Sequence, residues 1–380
     1  MTAVSGAFGI SQPRSVDLVP PTLQTIPEAI GKNIAIARAL TRSRIMAVVK
    51  ADGYGHGAIT VARAAIAAGA EWLGTTDIAE ASRLRAAGLT VPILTWLNPS
   101  GVDAEAAATG RIDIAVGSVD ELEALLKQAP STALRVHLHM DTGMAREGCP
   151  VHEWDALIAA ARQGEQRGKV RVVGLMGHLP LADQADPQAN APAVSRMRQA
   201  RRAVIAAGLD VPLTHLAATS GTLTDPATHF GMVRFGAGLV GIDPSETAEL
   251  HGASRLTAPV VHSATVKAGT PVGYGGTYVT DTSTNLSVVP IGYADGIPRE
   301  ISSEASVEIR GRRYPVVGRV SMDQIVIDAG AESFPHGTTA TVFGPKGGLT
   351  PTIHEWARWA GTIPHTIVTG IGPRVRRAIA

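Results

Sequence analysis

From about residue 20 to residue 250 two patterns alternate along the chain: short apolar runs ending in Gly, Asp, Asn or His, and Ala/Leu/Arg-rich stretches with helical spacing. This alternation constrains the fold more than any other feature. The candidate strands are Ile45–Val49, Trp72–Thr75, Ile93–Trp96, Ile112–Val116, Leu134–Met140, Val172–Met176, Leu213–Leu216 and Leu239–Ile242. Helical patterns such as Ala58–Ala68, Asp120–Lys127, Trp154–Arg162 and Ala193–Ala207 separate most of them. Eight strands with intervening helices over roughly 230 residues have the size and rhythm of a (β/α)8 TIM-type barrel. A doubly wound open sheet is the alternative, because periodicity alone does not separate the two.

The texture changes after about residue 253. β-rich segments punctuated by Gly and Pro follow: Val260–Lys267, Leu286–Ile291, Val307–Arg310, Val316–Ile327 and Thr339–Phe343, with one helix at Thr352–Trp359. The expected organisation is a flexible N-terminal tail over 1–19, an α/β barrel over 20–252, and a mainly β domain over 253–380. A chain of 380 residues suits a large domain with a second beside it.

Composition acts mainly by exclusion. A net charge of +1 gives no bulk electrostatic reason to bind nucleic acid or an anionic membrane. Cys149 is the only cysteine, which rules out an intramolecular disulfide and a cysteine-based metal cluster. The N-terminus lacks the pattern of a secretory signal, and no stretch of 18 uncharged apolar residues occurs. A cytoplasmic protein is expected.

Lysine is scarce: Lys32, Lys50, Lys127, Lys169, Lys267 and Lys346 are the whole set. Lys50 directly follows the apolar run Ile45–Val49 and opens a glycine-rich turn, Lys50-Ala51-Asp52-Gly53-Tyr54-Gly55-His56-Gly57. A lysine at the C-terminal end of a barrel strand points at the mouth, where active sites of such barrels sit. The glycines let backbone approach a ligand closely, and Tyr54 can offer a hydroxyl to a phosphate. A surface lysine in a loop is the plain alternative.

Val49-Lys50-Ala51-Asp52-Gly53-Tyr54-Gly55-His56-Gly57 resembles the cofactor-attachment motif of the alanine racemases. The similarity covers nearly the whole chain beyond the tail. It implies a pyridoxal 5′-phosphate (PLP) enzyme that interconverts L- and D-alanine and supplies D-alanine for peptidoglycan, with Lys50 as covalent cofactor anchor. A racemase of serine, lysine or a broader set of amino acids, or a related PLP lyase, is the alternative.

Further motifs carry the resemblance along the chain. In His137-Leu138-His139-Met140-Asp141-Thr142-Gly143-Met144-Ala145-Arg146 the family's arginine, here Arg146, binds a cofactor oxygen and the substrate carboxylate, for which a guanidinium fork is suited. Where relatives often carry a carbamate-modified lysine, this chain has His139. Strand alternation puts His137, His139 and Asp141 on one face, which admits a metal site or, as preferred, a polar barrel layer. Gly174-Leu175-Met176-Gly177-His178 resembles the strand whose histidine holds the arginine at the pyridine nitrogen. His215-Leu216-Ala217-Ala218-Thr219-Ser220 and Val233-Arg234-Phe235-Gly236-Ala237 match the next two segments. By resemblance, Thr219, with Ser220 as fallback, and the amides of Gly236 and Ala237 hold the phosphate, while Arg234 faces the pyridine nitrogen. An arginine keeps its proton, so that nitrogen stays unprotonated and side reactions such as transamination are disfavoured. Residues 236–241 also spell GxGxxG, but no βαβ unit follows and no acidic residue stands about 20 positions on, so a dinucleotide site is rejected.

The β-rich part contributes Tyr274 in Val272-Gly273-Tyr274-Gly275-Gly276, which resembles the segment with the second catalytic base. Tyr293, in Gly292-Tyr293-Ala294-Asp295-Gly296, would line the substrate entrance, and the amide of Met322 would meet the substrate carboxylate. His365 stands where many relatives have a phosphate-binding tyrosine, and it can still donate a hydrogen bond. Racemisation removes a proton from one face and returns one to the other, so two opposed bases, Lys50 and Tyr274, are expected. A tyrosine working as a base near neutrality needs cationic neighbours. The resemblance further implies a head-to-tail homodimer in which Tyr274 and Met322 enter the partner's site.

Overall fold

The computed structural model describes residues 19–380, so the flexible tail expected over 1–19 falls, apart from Val19, outside the described residues. Strand β1 (Thr22–Thr25) is followed by eight barrel strands: β2 (Arg44–Val48), β3 (Trp72–Thr75), β4 (Ile93–Thr95), β5 (Ile112–Val116), β6 (Leu134–His139), β7 (Val170–Met176), β8 (Leu213–His215) and β9 (Met232–Phe235). Each pairs in parallel with the next, and β2 pairs with β9, Arg44 opposite Met232 and Ala47 opposite Phe235. That last pairing closes the sheet and excludes the doubly wound alternative.

Alternation explains how short strands support two cores. Ile45, Ala47 and Leu73 face the surrounding helices and join the large apolar core. Met46, Trp72, Leu94 and Met176 turn inward and pack with one another inside the barrel. Gly74 makes room for this filling: a Cβ there would lie 2.9 Å from both the Met46 sulfur and the Trp96 ring.

The eighth strand is not Leu239–Ile242. That segment is buried and apolar, but Ala237–Val240 forms a 3-10 turn that ends in the left-handed Gly241. The true strand, Met232–Phe235, carries the buried Arg234 at an inward position and so does not read as an apolar run.

The second region comprises β10 (Ser254–Pro259), β11 (His262–Val266), the short pair β12 (Pro271–Val272) and β13 (Tyr278–Val279), then β14 (Thr284–Val289), β15 (Ser306–Ile309), β16 (Arg312–Val317), β17 (Ile325–Gly330), β18 (Thr339–Phe343) and β19 (Arg376–Ile379). All but β12 and β13 join β1 in a nine-stranded sheet, ordered β11-β14-β17-β16-β15-β18-β10-β1-β19. β1 is therefore not part of the barrel, although it falls within the 20–252 range expected for it. It pairs with β10 (Leu23 opposite Leu256) and with β19 (Leu23 opposite Arg377). Four residues give no local sign of partners more than two hundred positions away.

The expected strand Val316–Ile327 is two strands, β16 and β17, joined by a loop that leaves at Gly318 (φ +71). The helix Ile353–Trp359 forms as expected, with Thr352 and Glu355 in a reciprocal capping box. A further short helix, Pro364–Thr369, docks on the turn that follows β2. A Cβ at Gly55 (φ +79) would lie 2.3 Å from the Val368 carbonyl oxygen, so glycine is required there. Among the described residues no helix is long and apolar enough to cross a membrane.

Candidate active site

Lys50 leaves β2 at the C-terminal mouth of the barrel. The chain then runs through a left-handed turn in which Ala51, Asp52, Gly53 and Tyr54 all have φ between 51° and 63°. Consecutive non-glycine residues in this region are strained and need external support. The support is visible. Gly53 N–H donates to the Val49 carbonyl (2.8 Å) and Gly57 N–H to that of Asp52 (2.8 Å). The Asp52 carboxylate caps Ala58 N–H (2.9 Å), and the Thr25 hydroxyl donates to the His56 carbonyl (2.7 Å). Glu80 accepts from Ala51 N–H (2.8 Å) and from Thr76 N–H (2.9 Å), tying the turn to the loop after β3.

Lys50 lines an open cavity of about 310 Å³ together with Tyr54, Arg146, His178, Arg234 and His365. Thr219, Ser220, Gly236 and Ala237 line the same space, so ten of the residues singled out from sequence converge on it. Burial, then the Arg146 charge, pulls the Lys50 ammonium below its ordinary range, which enlarges the neutral amine fraction.

Arg146 rides on a loop organised by Asp141, whose Oδ1 accepts from the amides of Gly143 (2.8 Å), Met144 (2.9 Å) and Ala145 (3.2 Å). Asp141 thus shapes the arginine loop, while His137 and His139 turn into the barrel. His139 lines the cavity and is pushed down to about 4 by burial, then by Arg234 and Arg146, so it is neutral near pH 7.

Arg234 is buried, and both of its Nη nitrogens are fixed. Nη1 donates to the His215 carbonyl (3.1 Å) and faces His215 Nδ1 (3.0 Å). Nη2 donates to the carbonyls of Gly177 (2.8 Å) and Leu216 (3.2 Å) and faces His178 Nδ1 (3.0 Å). Burial and Arg146 lower it to about 10, and it remains cationic near neutrality. Both histidines are held well below their ordinary range, chiefly by burial and next by Arg234, and accept as neutral rings.

The opposite wall suits an anion. Thr219 Oγ1 accepts from the amides of Gly236 (3.3 Å) and Gly238 (3.1 Å), which leaves its own hydrogen free to point elsewhere. A Cβ on Gly236 would come within 2.5 Å of the Tyr54 hydroxyl, so that close approach needs glycine. Burial raises the Tyr54 phenol to about 12 and keeps it a neutral donor. The His365 ring lies 6.1 Å from that of Tyr54, and its Nδ1 is buried with no partner among the described residues.

Tyr274, Tyr293 and Met322 do not reach the cavity of their own chain. They are 71%, 40% and 52% exposed on the β-rich region. They lie around one loop, Gly318–Gln324. A Cβ on Gly275 would lie 3.2 Å from the Arg319 guanidinium, and Tyr293 and Ala294 N–H donate to the Ser321 and Met322 carbonyls (3.1 and 3.0 Å). Arg374 bridges Asp295 (3.1 Å) and Asp323 (2.7 Å), which fixes the Tyr293 turn against the Met322 turn.

Sequence reasoning missed three supporting groups. Glu80 sits in an ordinary helical pattern, and only its position three residues after the helix cap Asp77 hinted at a role. His215 and Asp113 end or interrupt apolar strands, which marks them as inward polar groups, but their partners lie on other strands.

The family model for the alanine racemase N-terminal domain matches residues 27–244, and that for the alanine racemase C-terminal domain matches 253–379. The chain is 42% identical over 357 residues to the alanine racemase of Thermobifida fusca, covering 92% of this chain and 95% of that one. It is 40% identical over 349 residues to that of Salinispora tropica, covering 91% and 94%. The crystal structure of alanine racemase from Streptomyces lavendulae superposes with a TM-score of 0.91 at 36% identity, over 95% of this chain and 97% of that one.

Proposed function

Since the chain belongs to the alanine racemase family, we propose that it interconverts L- and D-alanine with PLP as cofactor, using Lys50 and Tyr274 as opposed bases. The observation that carries this reading is the convergence of Lys50, Arg146 and Arg234 on one cavity at the barrel mouth. The residues present fit the group. The unpartnered Nδ1 of His365, the neutral Tyr54 phenol and the free hydrogen of Thr219 line the same cavity as Ala237, whose amide adds a further donor, while the Gly236 amide is engaged by Thr219; the set suits a phosphate. Ser220 adds a second hydroxyl.

When bound, PLP supplies the electron sink that acidifies the substrate's α-carbon hydrogen. Lys50 anchors the cofactor and, when free, exchanges a proton at one face of that carbon; its lowered pKa suits it to accept one near neutrality. Arg146 binds the substrate carboxylate, and the Met322 amide assists. Arg234, whose Nη1 and Nη2 are held by His215 and His178, would offer its Nε–H to the pyridine nitrogen and, keeping its own proton, would not protonate that nitrogen.

Tyr274 serves the other face. Because Tyr274, Tyr293 and Met322 stand exposed and clustered, we assign them to the mouth of a partner chain's barrel in a head-to-tail homodimer. On this reading the barrel is the cofactor-binding domain, and the β-rich domain completes the partner's site. We place the enzyme in the cytoplasm, supplying D-alanine for peptidoglycan.

The test is purified protein supplied with PLP, assayed by chiral chromatography against L-alanine, D-alanine and an L-amino-acid panel including serine and lysine, with cofactor absorbance followed. Racemisation of alanine, with absorbance shifted in a Lys50→Ala variant, is expected. Absence of racemisation, or a cofactor spectrum indifferent to Lys50→Ala, sinks the proposal. Serine or lysine turning over faster than alanine would move the activity to the alternative racemase.

A further inference from the structure

A chain of buried side chains runs across the barrel and ends on Arg234. Asp113 on β5 is almost fully buried. Its Oδ1 accepts from Arg135 Nε (2.7 Å), and its Oδ2 accepts from Arg135 Nη2 (3.1 Å) and faces His137 Nε2 (3.2 Å). His137 Nδ1 lies 2.9 Å from His215 Nε2, and His215 Nδ1 lies 3.0 Å from Arg234 Nη1. The link from His137 on β6 to His215 on β8 passes over β7 at Gly174. A Cβ there would stand 2.2 Å from His137 Nδ1, so only glycine leaves the passage open. Trp72 packs edge-on against the His137 ring, the centroids 5.7 Å apart.

The two ends determine every proton between them. A carboxylate only accepts and a guanidinium only donates. His137 must therefore carry its hydrogen on Nε2 and accept at Nδ1. His215 must donate from Nε2 and accept at Nδ1, where Arg234 donates. No other arrangement satisfies all three links.

We propose that Asp113 and His137 are positioning residues for Arg234, selecting the ring tautomers that let His215 accept from it. This rests on Arg234 being the group that meets the cofactor nitrogen. Asp113 touches neither substrate nor cofactor; it acts through two imidazoles, as the buried aspartate of a hydrolytic triad acts through one.

Asp113→Asn tests this. Arg135 claims the new amide's oxygen through its shorter bond, so the amide nitrogen donates to His137 Nε2. Both histidines then flip, and His215 Nδ1–H points at Arg234 Nη1–H. Expected for the purified holoenzyme is a kcat loss of roughly 10- to 100-fold, by analogy with the partners that orient metal-ligating histidines, with KM changed less. Nitrogen NMR of the histidines should show His137 and His215 changing from Nε2–H to Nδ1–H. Arg135→Met added to Asp113→Asn frees the amide to turn its oxygen toward His137, and should restore the original tautomers and much of kcat. Unchanged tautomers in Asp113→Asn, or a double variant with kcat no better than the single, overturns the proposal. The tautomer readout needs no turnover, so a protein that fails to racemise alanine would refute the function while leaving this test standing.

Discussion

The barrel and the β-rich region bury different things. The barrel interior encloses Asp113, His137, His139, His215 and Arg234, all nearly inaccessible, within a shell of Met46, Trp72, Leu94 and Met176. The β-rich region keeps Val307, Ile309, Ile327, Val342 and Phe343 inside, buries mainly hydroxyls among its polar groups, and leaves Tyr274 and Met322 on its surface. A buried cation is tolerable only with partners on every side, and eight inward-facing strands supply them. A sheet with one face on an apolar core has no such enclosure, so large polar groups such as Tyr274 stand outside. The difference teaches that the barrel holds its polar groups in fixed positions around a cavity, whereas the β-rich region leaves Tyr274 and Met322 exposed, where the proposed dimer would bring them to a partner's barrel mouth.

The largest expected effect tests this division. Lys50→Ala and Tyr274→Phe should each lower racemisation by roughly 10²- to 10⁴-fold, the usual contribution of a positioned acid or base. Mixing the two variants after dissociation and reassociation should regain part of the activity. On the proposed arrangement a mixed dimer has one site with Lys50 from one chain and Tyr274 from the other. Failure of the mixture to regain activity, with dimers verified by light scattering, would break the assignment of Tyr274 to the partner's mouth.

Acid should affect the barrel first. Burial holds His56 down from 6.5 to about 4, and His139 likewise. Between these values the unfolded chain binds protons that the folded chain refuses, so stability rises with pH across the window and is lost as pH falls from 6.5 towards 4. For fully buried His56 the loss approaches about 3 kcal/mol at the low end. Urea midpoints measured across this range should fall in the native protein, and fall less in His56→Asn. Hydrogen exchange should open barrel strands before β-rich ones, which contain no fully buried histidine among the described residues. Equal opening of both regions would erase the distinction.

The smallest effect comes from matched helix caps. Asp77 accepts from Glu80 N–H (2.8 Å) in the barrel, and Thr352 accepts from Glu355 N–H (3.2 Å) in the β-rich region. Replacing either by alanine should cost about 1 kcal/mol of stability. Only Asp77→Ala should also lower kcat, because Glu80 holds the Lys50 turn. Equal activity in the two variants would show that the turn holds itself.

How legible each region was follows from the range of its interactions. Strands Trp72–Thr75, Ile112–Val116 and Thr339–Phe343 match their apolar runs to the residue, since runs of this kind need only local burial. Met232–Phe235 was missed because its inward group is an arginine that only enclosure makes acceptable inside a barrel. The glycine-rich turn marked Lys50 through its composition, but nothing local revealed that Thr25, Glu80 and Val368 brace it from three distant segments.

By itself the sequence determined the alternation that makes a barrel, the change of texture near residue 253, and the motif residues that gather at the mouth. It also named the departures at His139 and His365. Tertiary structure alone decided that β1 leaves the barrel to pair with β10 and β19, that Arg234 is gripped by His178 and His215, and that the link from Asp113 crosses Gly174. The physical reason is the same each time. Local propensity and burial are written over a few neighbouring residues, whereas the partner of a strand edge or a buried charge is chosen only when closure brings remote segments within hydrogen-bond distance.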